Sequence, residues 1–64
     1  MDHSAYIAKT RTLSDAQLLY IIKDAREAIE ANPDNPKAGH YADEIHYCAA
    51  EIKRRKDELK AALA

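Results

Sequence analysis

Apolar side chains recur at spacings of three and four along two stretches of the chain. In the first, Leu18, Ile21, Ile22, Ala25, Ala28 and Ile29 fall on one stripe, with Lys23, Glu27 and Glu30 opposite. That period is the mark of an amphipathic helix with one face turned to a core. In the second, Tyr41, Ile45, Cys48, Ile52, Leu59 and Leu63 form the stripe, flanked by Ala38, Ala42 and Ala49, which are small enough to let another helix approach closely. Strand-like alternation is confined to AYIAKTRTL, where Thr10 and Thr12 leave the N-terminal arm open between strand, helix and loose chain.

The polar punctuation sets the boundaries. Ser14, Asp15, Ala16, Gln17 form an S-x-x-Q capping box, and Leu13 and Leu18 stand at the two positions of a hydrophobic staple. The first helix therefore spans about residues 15–31. NPDNP stops it, because two prolines within four residues cannot continue a helix and each biases its preceding Asn away from helical dihedrals. Asn35 suits the N-cap of the next helix with Pro36 at its first position. That helix spans about residues 36–62, and residues 32–35 form the turn. The pattern predicts a single all-α domain over residues 1–64, an antiparallel helical hairpin with an N-terminal arm at 1–13.

The second helix is much the longer, so antiparallel packing from the turn runs out near Ile52 and leaves Leu59 and Leu63 uncovered. Either the arm carrying Tyr6 and Ile7 folds back over them, or a second copy does. Leu19 and Tyr20 also point well off the stripe that Leu18 begins. A chain of 64 residues buries only about 60% of the surface it exposes when unfolded. Apolar groups on two sides of so small a unit predict a homodimer or higher assembly, in the form of a helical bundle.

Charge and cysteine content narrow the classes. A net charge of −1 and a pI near 6.3 give no concentrated basic surface of the kind phosphate backbones require. The one basic cluster, Lys53 to Lys56, runs straight into Asp57 and Glu58 and suits a solvated helix face better than a nucleic-acid contact. One cysteine makes no intrachain disulfide, and no CxxC pair exists to hold zinc. No apolar run approaches membrane-span length, and MDHSAYIAKTR lacks the apolar core of a signal peptide, so a cytoplasmic protein is expected.

GHYADEIHYCAAEIKRR, residues 39–55, gathers most of the chemistry-bearing side chains. At 100° per residue they separate into rows. Tyr41, Ile45, Cys48 and Ile52 face the core, where a free cysteine behaves as a small hydrophobe. Asp43 and His46 carry the i, i+3 spacing of carboxylate–histidine metal ligands, with Asp24 and Glu27 as possible helix-one partners, but they turn away from the packed stripe, so no metal or other cofactor is expected. A single glycine and the absence of any serine near His40 and His46 leave no phosphate-cradling loop and no nucleophile–base pair in this stretch, so no enzyme is expected. What remains is a binding edge of His40, Glu44, Tyr47, Glu51 and Arg55, with Arg54 beside it and Tyr20 on the first helix as a second flat anchor.

The runs LSDAQLLYIIKDAREA and NPDNPKAGHYADEIHYCAAEIKRR resemble a group of small, mostly uncharacterised proteins encoded by tailed bacteriophages. The similarity covers about residues 12–56 and is most specific in YIIKDA and YADEIHY. The resemblance implies a host bacterial cytoplasm and a protein that binds and disables a host factor; it carries over no catalytic residue. On this basis a homodimer that inhibits a host defence or regulatory protein is the first expectation. The alternative is a sponge that sequesters a nucleotide immune signal between protomers.

Overall fold

The computed structural model describes residues 1–64 as three helices and no strand: α1 (His3–Thr10), α2 (Asp15–Ala31) and α3 (Ala38–Leu63). The capping box forms as the sequence predicts. Gln17 N–H donates to Ser14 Oγ at 3.1 Å and Ser14 N–H donates to Gln17 Oε1 at 2.8 Å, so α2 begins at Asp15. Its C-cap is Asn32, whose N–H still reaches the Ala28 carbonyl before the prolines end the helix.

The start of α3 lies two residues later than the sequence pattern suggests. Asn35 does not cap a helix beginning at Pro36. Its side chain instead accepts from Lys37 N–H at 2.8 Å and its carbonyl accepts from Ala38 N–H at 2.9 Å, closing a local turn. Lys37 becomes the cap residue and provides no side-chain hydrogen bond.

The arm is a helix. Asp2 accepts from Ala5 N–H at 3.1 Å and caps α1, and only one side of that helix faces inward, with Tyr6 half-buried and Thr10 buried. It packs across the middle of α3, while Leu59 and Leu63 stay 61% and 78% exposed. The arm therefore leaves the α3 overhang uncovered.

α2 packs along α3, and their facing stripes supply the core. Leu18, Ala25 and Cys48 are buried, with Ile21, Ile22, Ile29, Tyr41, Ile45 and Ile52 half-buried around them. Near the overhang, Arg55 of α3 holds Asp15 at the start of α2 at 2.6 Å. Only five residues of the chain are buried, a thin core even for this length. The molecule measures 45 × 22 × 15 Å, so α3 sets its long dimension.

Candidate functional site

The binding edge expected on α3 is largely the seat of α1. Tyr6 donates from its hydroxyl to Glu44 Oε2 at 3.1 Å and lies 3.8 Å from Cys48 Sγ. Burial, then the thiol, pushes the Tyr6 phenol above its ordinary range; burial likewise raises the Cys48 thiol, which is kept un-ionised as a core residue. Tyr47 shares a 2.7 Å hydrogen bond with His3 Nδ1 and lies edge-on to the His3 and His46 rings.

Further along α3, Glu51 is buried, which is unusual for a carboxylate. Arg54 grips it with a two-pronged contact, Nε to Oε1 and one terminal nitrogen to Oε2, both at 2.8 Å, while Arg55 Nε donates to Oε2 at 2.7 Å. The hydrogen bond from Arg54, and with it that from Arg55, holds the Glu51 carboxyl down to about 2 against desolvation. The same contacts raise both guanidinium groups, Arg54 chiefly through Glu51 and Arg55 chiefly through Asp15. Arg54 also binds Glu58. The other nitrogens of Arg55 reach Asp15, the Thr10 carbonyl at 3.1 Å and the Leu13 carbonyl at 2.6 Å.

Of the sequence-predicted residues, the structure thus joins Glu51, Arg54 and Arg55 in one ion network and engages Glu44 and Tyr47 with α1. His40 lies exposed, 3.4 Å from Glu44, beside a shallow groove lined by Pro36, Lys37 and Tyr41. Tyr20 lies apart from all of these, 69% exposed. It edges a groove of about 400 Å³ whose other walls are Lys9, Leu13, Ala16, Gln17 and Ile21. No group of three or more His, Cys, Asp or Glu side chains is arranged to hold a metal ion.

Lys9, His3 and Tyr6 were absent from the sequence-based site. A signal was present: Asp2 as a cap, followed by His3, Tyr6, Ile7 and Thr10 at helical spacing. The two threonines at 10 and 12 mask it by imitating strand alternation, yet each hydroxyl donates back to a carbonyl of its own turn, Thr10 to Ile7 and Thr12 to Lys9.

The Glu51 network has a pH signature. Its folded-state value lies below the ordinary 4.5, so the unfolded chain takes up the proton first. The contribution of Glu51 is full above about 4.5 and fades as pH falls toward about 2. Glu51→Gln is expected to lower Tm by several degrees at pH 7, and thermal melts at successive pH values should show the gap to wild type narrowing below pH 4.5. A gap that stays constant to pH 2 would exclude this role.

Comparison of the chain with protein-family models, with curated proteins and with solved structures finds no match. No helix is long and apolar enough to cross a membrane.

Proposed function

We propose that the protein is a non-enzymatic, phage-encoded binding protein that acts in the host bacterial cytoplasm as a homodimer or higher assembly. In this assembly, antiparallel α2–α3 hairpins, each strapped by its α1, form a helical bundle. The observation that carries the assembly is the pair of uncovered apolar faces, Leu19 with Tyr20 on α2 and Leu59 with Leu63 on α3, all between 58% and 78% exposed. Apolar faces of this kind, on a chain with so thin a core, are the surfaces a second copy would bury. The non-enzymatic reading is supported by the ion network, in which Arg54 and Arg55 hold the one buried carboxylate, Glu51, in its ionised form.

Such a protein works by occupancy, and two targets fit. One is a host defence or regulatory protein, bound through exposed Tyr20 and His40. The other is a nucleotide immune signal held between protomers, and the groove beside Tyr20 favours this one. Its volume of about 400 Å³ falls within the range of small-ligand sites. Tyr20 offers a ring on which a base can stack, and Lys9 an ammonium for phosphate. The groove is shallow, so an adjoining copy would have to close it. Meanwhile Tyr47, Glu51 and Arg55, which a host protein would need free, are already engaged within the chain.

Thermal unfolding across cyclic and ADP-ribose-type nucleotides tests the choice. A ligand at 100 times its Kd adds about 2.7 kcal/mol of stability, which for a domain of this size is a rise in Tm of roughly 10 °C or more. Tyr20→Ala should abolish the rise. A flat response across the panel would sink sequestration; a bacterial protein that copurifies with wild type and is lost with Tyr20→Ala would then point to the host-factor alternative.

A further inference from the structure

We infer that Arg55 is a latch that holds α1 in place and, through it, builds the Lys9–Tyr20 groove without touching the occupant; the inference rests on that groove being the binding site proposed above. Helix α1 has eight residues, whereas isolated helices shorter than about 12–15 residues are marginal in water. Its inward face is narrow: Tyr6 is half-buried and Thr10 buried, while Ile7 remains 41% exposed. α1 is therefore helical because it is docked, and its docking depends on a few polar joints.

Two joints tie the first turns of α1 to α3, His3 with Tyr47 and Tyr6 with Glu44. The third ties its end, and it is made by one side chain. Arg55 donates to Glu51 within α3, to the Thr10 carbonyl at the end of α1, to the Leu13 carbonyl in the connection and to Asp15 at the start of α2. A planar guanidinium with five donors can serve acceptors in these different directions at once. A lysine ammonium, a point charge with one nitrogen, cannot.

The groove lies across this joint. Lys9 and Leu13 form one wall, on either side of the Thr10 carbonyl that Arg55 holds, and Ala16, Gln17, Tyr20 and Ile21 form the other, just after Asp15. Arg55 lines no part of it. With α1 released, the second wall would be an open helix face bearing Tyr20 without the ammonium of Lys9. A ligand that binds only the docked state must then stabilise α1, and loosening α1 must weaken the ligand in proportion to the docked fraction that is lost.

Hydrogen exchange on the full chain, for wild type, Arg55→Lys and Tyr6→Phe, with and without cyclic di-AMP as the nucleotide probe, tests the latch. In Arg55→Lys the amides of residues 5–13 should exchange at least about 10-fold faster while those of residues 22–30 and 42–52 change far less, and the Kd for cyclic di-AMP should rise as the inverse of the docked fraction of α1 that this exchange reads. Tyr6→Phe, which loosens α1 from its other side, should shift both readouts in the same sense. Unchanged exchange at residues 5–13, an equal loss of protection in all three helices, or a Kd that does not follow the docked fraction read from that exchange would each overturn the inference. A wild type that binds no cyclic di-AMP counts against the proposed ligand class instead, and the exchange pattern still decides the latch.

Discussion

Leu18→Asp is expected to leave the chain unfolded at 25 °C, with helical circular dichroism lost and no cooperative melt. Leu18 is fully buried, directly after the capping box of α2, the helix that packs along α3. Replacing a buried Leu by Ala typically costs about 2–5 kcal/mol, and an unpartnered buried carboxylate costs more. A domain of this length has a total stability of only about 3–10 kcal/mol. The milder Leu18→Ala should therefore remain folded with Tm lowered by roughly 10 °C or more. A Leu18→Asp chain that keeps wild-type helicity and Tm would mean that α2 does not pack through this residue.

The second large effect concerns the α3 overhang. Changing Leu59 and Leu63 together to Asp is expected to convert the proposed assembly to a 7.2 kDa monomer while leaving the α2–α3 core folded. Both side chains are already exposed within one copy, so the change removes nothing from the core. Burying a leucine side chain contributes about 1.5–3 kcal/mol, and every 1.4 kcal/mol is tenfold in an equilibrium constant. Two per copy should weaken association by at least about 100-fold. Sedimentation at several concentrations reads this directly. An unchanged assembly would move the interface to Leu19 and Tyr20.

Both effects follow from residues legible in the sequence, and the reason is local. The α2 boundary is set by a capping box and a proline turn, whose geometry depends on neighbouring residues alone, and the buried stripe is set by helical periodicity. The site was less legible, because it depends on which segment lies across which. His40, Glu44, Tyr47, Glu51 and Arg55 do share one border of α3, as their angles require. The angles could not say that α1 occupies that border, since the docking of an eight-residue helix depends on Tyr6 and on carbonyl oxygens at Thr10 and Leu13. Backbone acceptors leave no trace in residue identity. For the same reason Arg55 reads in sequence as a free anion-binding fork, whereas in the fold its donors are directed to Glu51, Asp15 and two carbonyls. The half-turn at Asn35 is a similar case: a side chain able to cap a helix can equally close a turn, and here it does the latter.

Tyr20 shows the opposite relation. Its angle sets it off the packed stripe, and it stands exposed as that angle requires; only the neighbouring Lys9, brought by α1, makes a groove of the surface around it.

Native mass spectrometry of the full chain, alone and with a panel of cyclic and ADP-ribose-type nucleotides, tests the central claim of an assembling, nucleotide-sequestering protein. The expected result is a species at two or more times 7.2 kDa that gains the mass of a nucleotide and loses that gain in Tyr20→Ala. A species confined to 7.2 kDa at micromolar concentration, with no nucleotide retained, would contradict it.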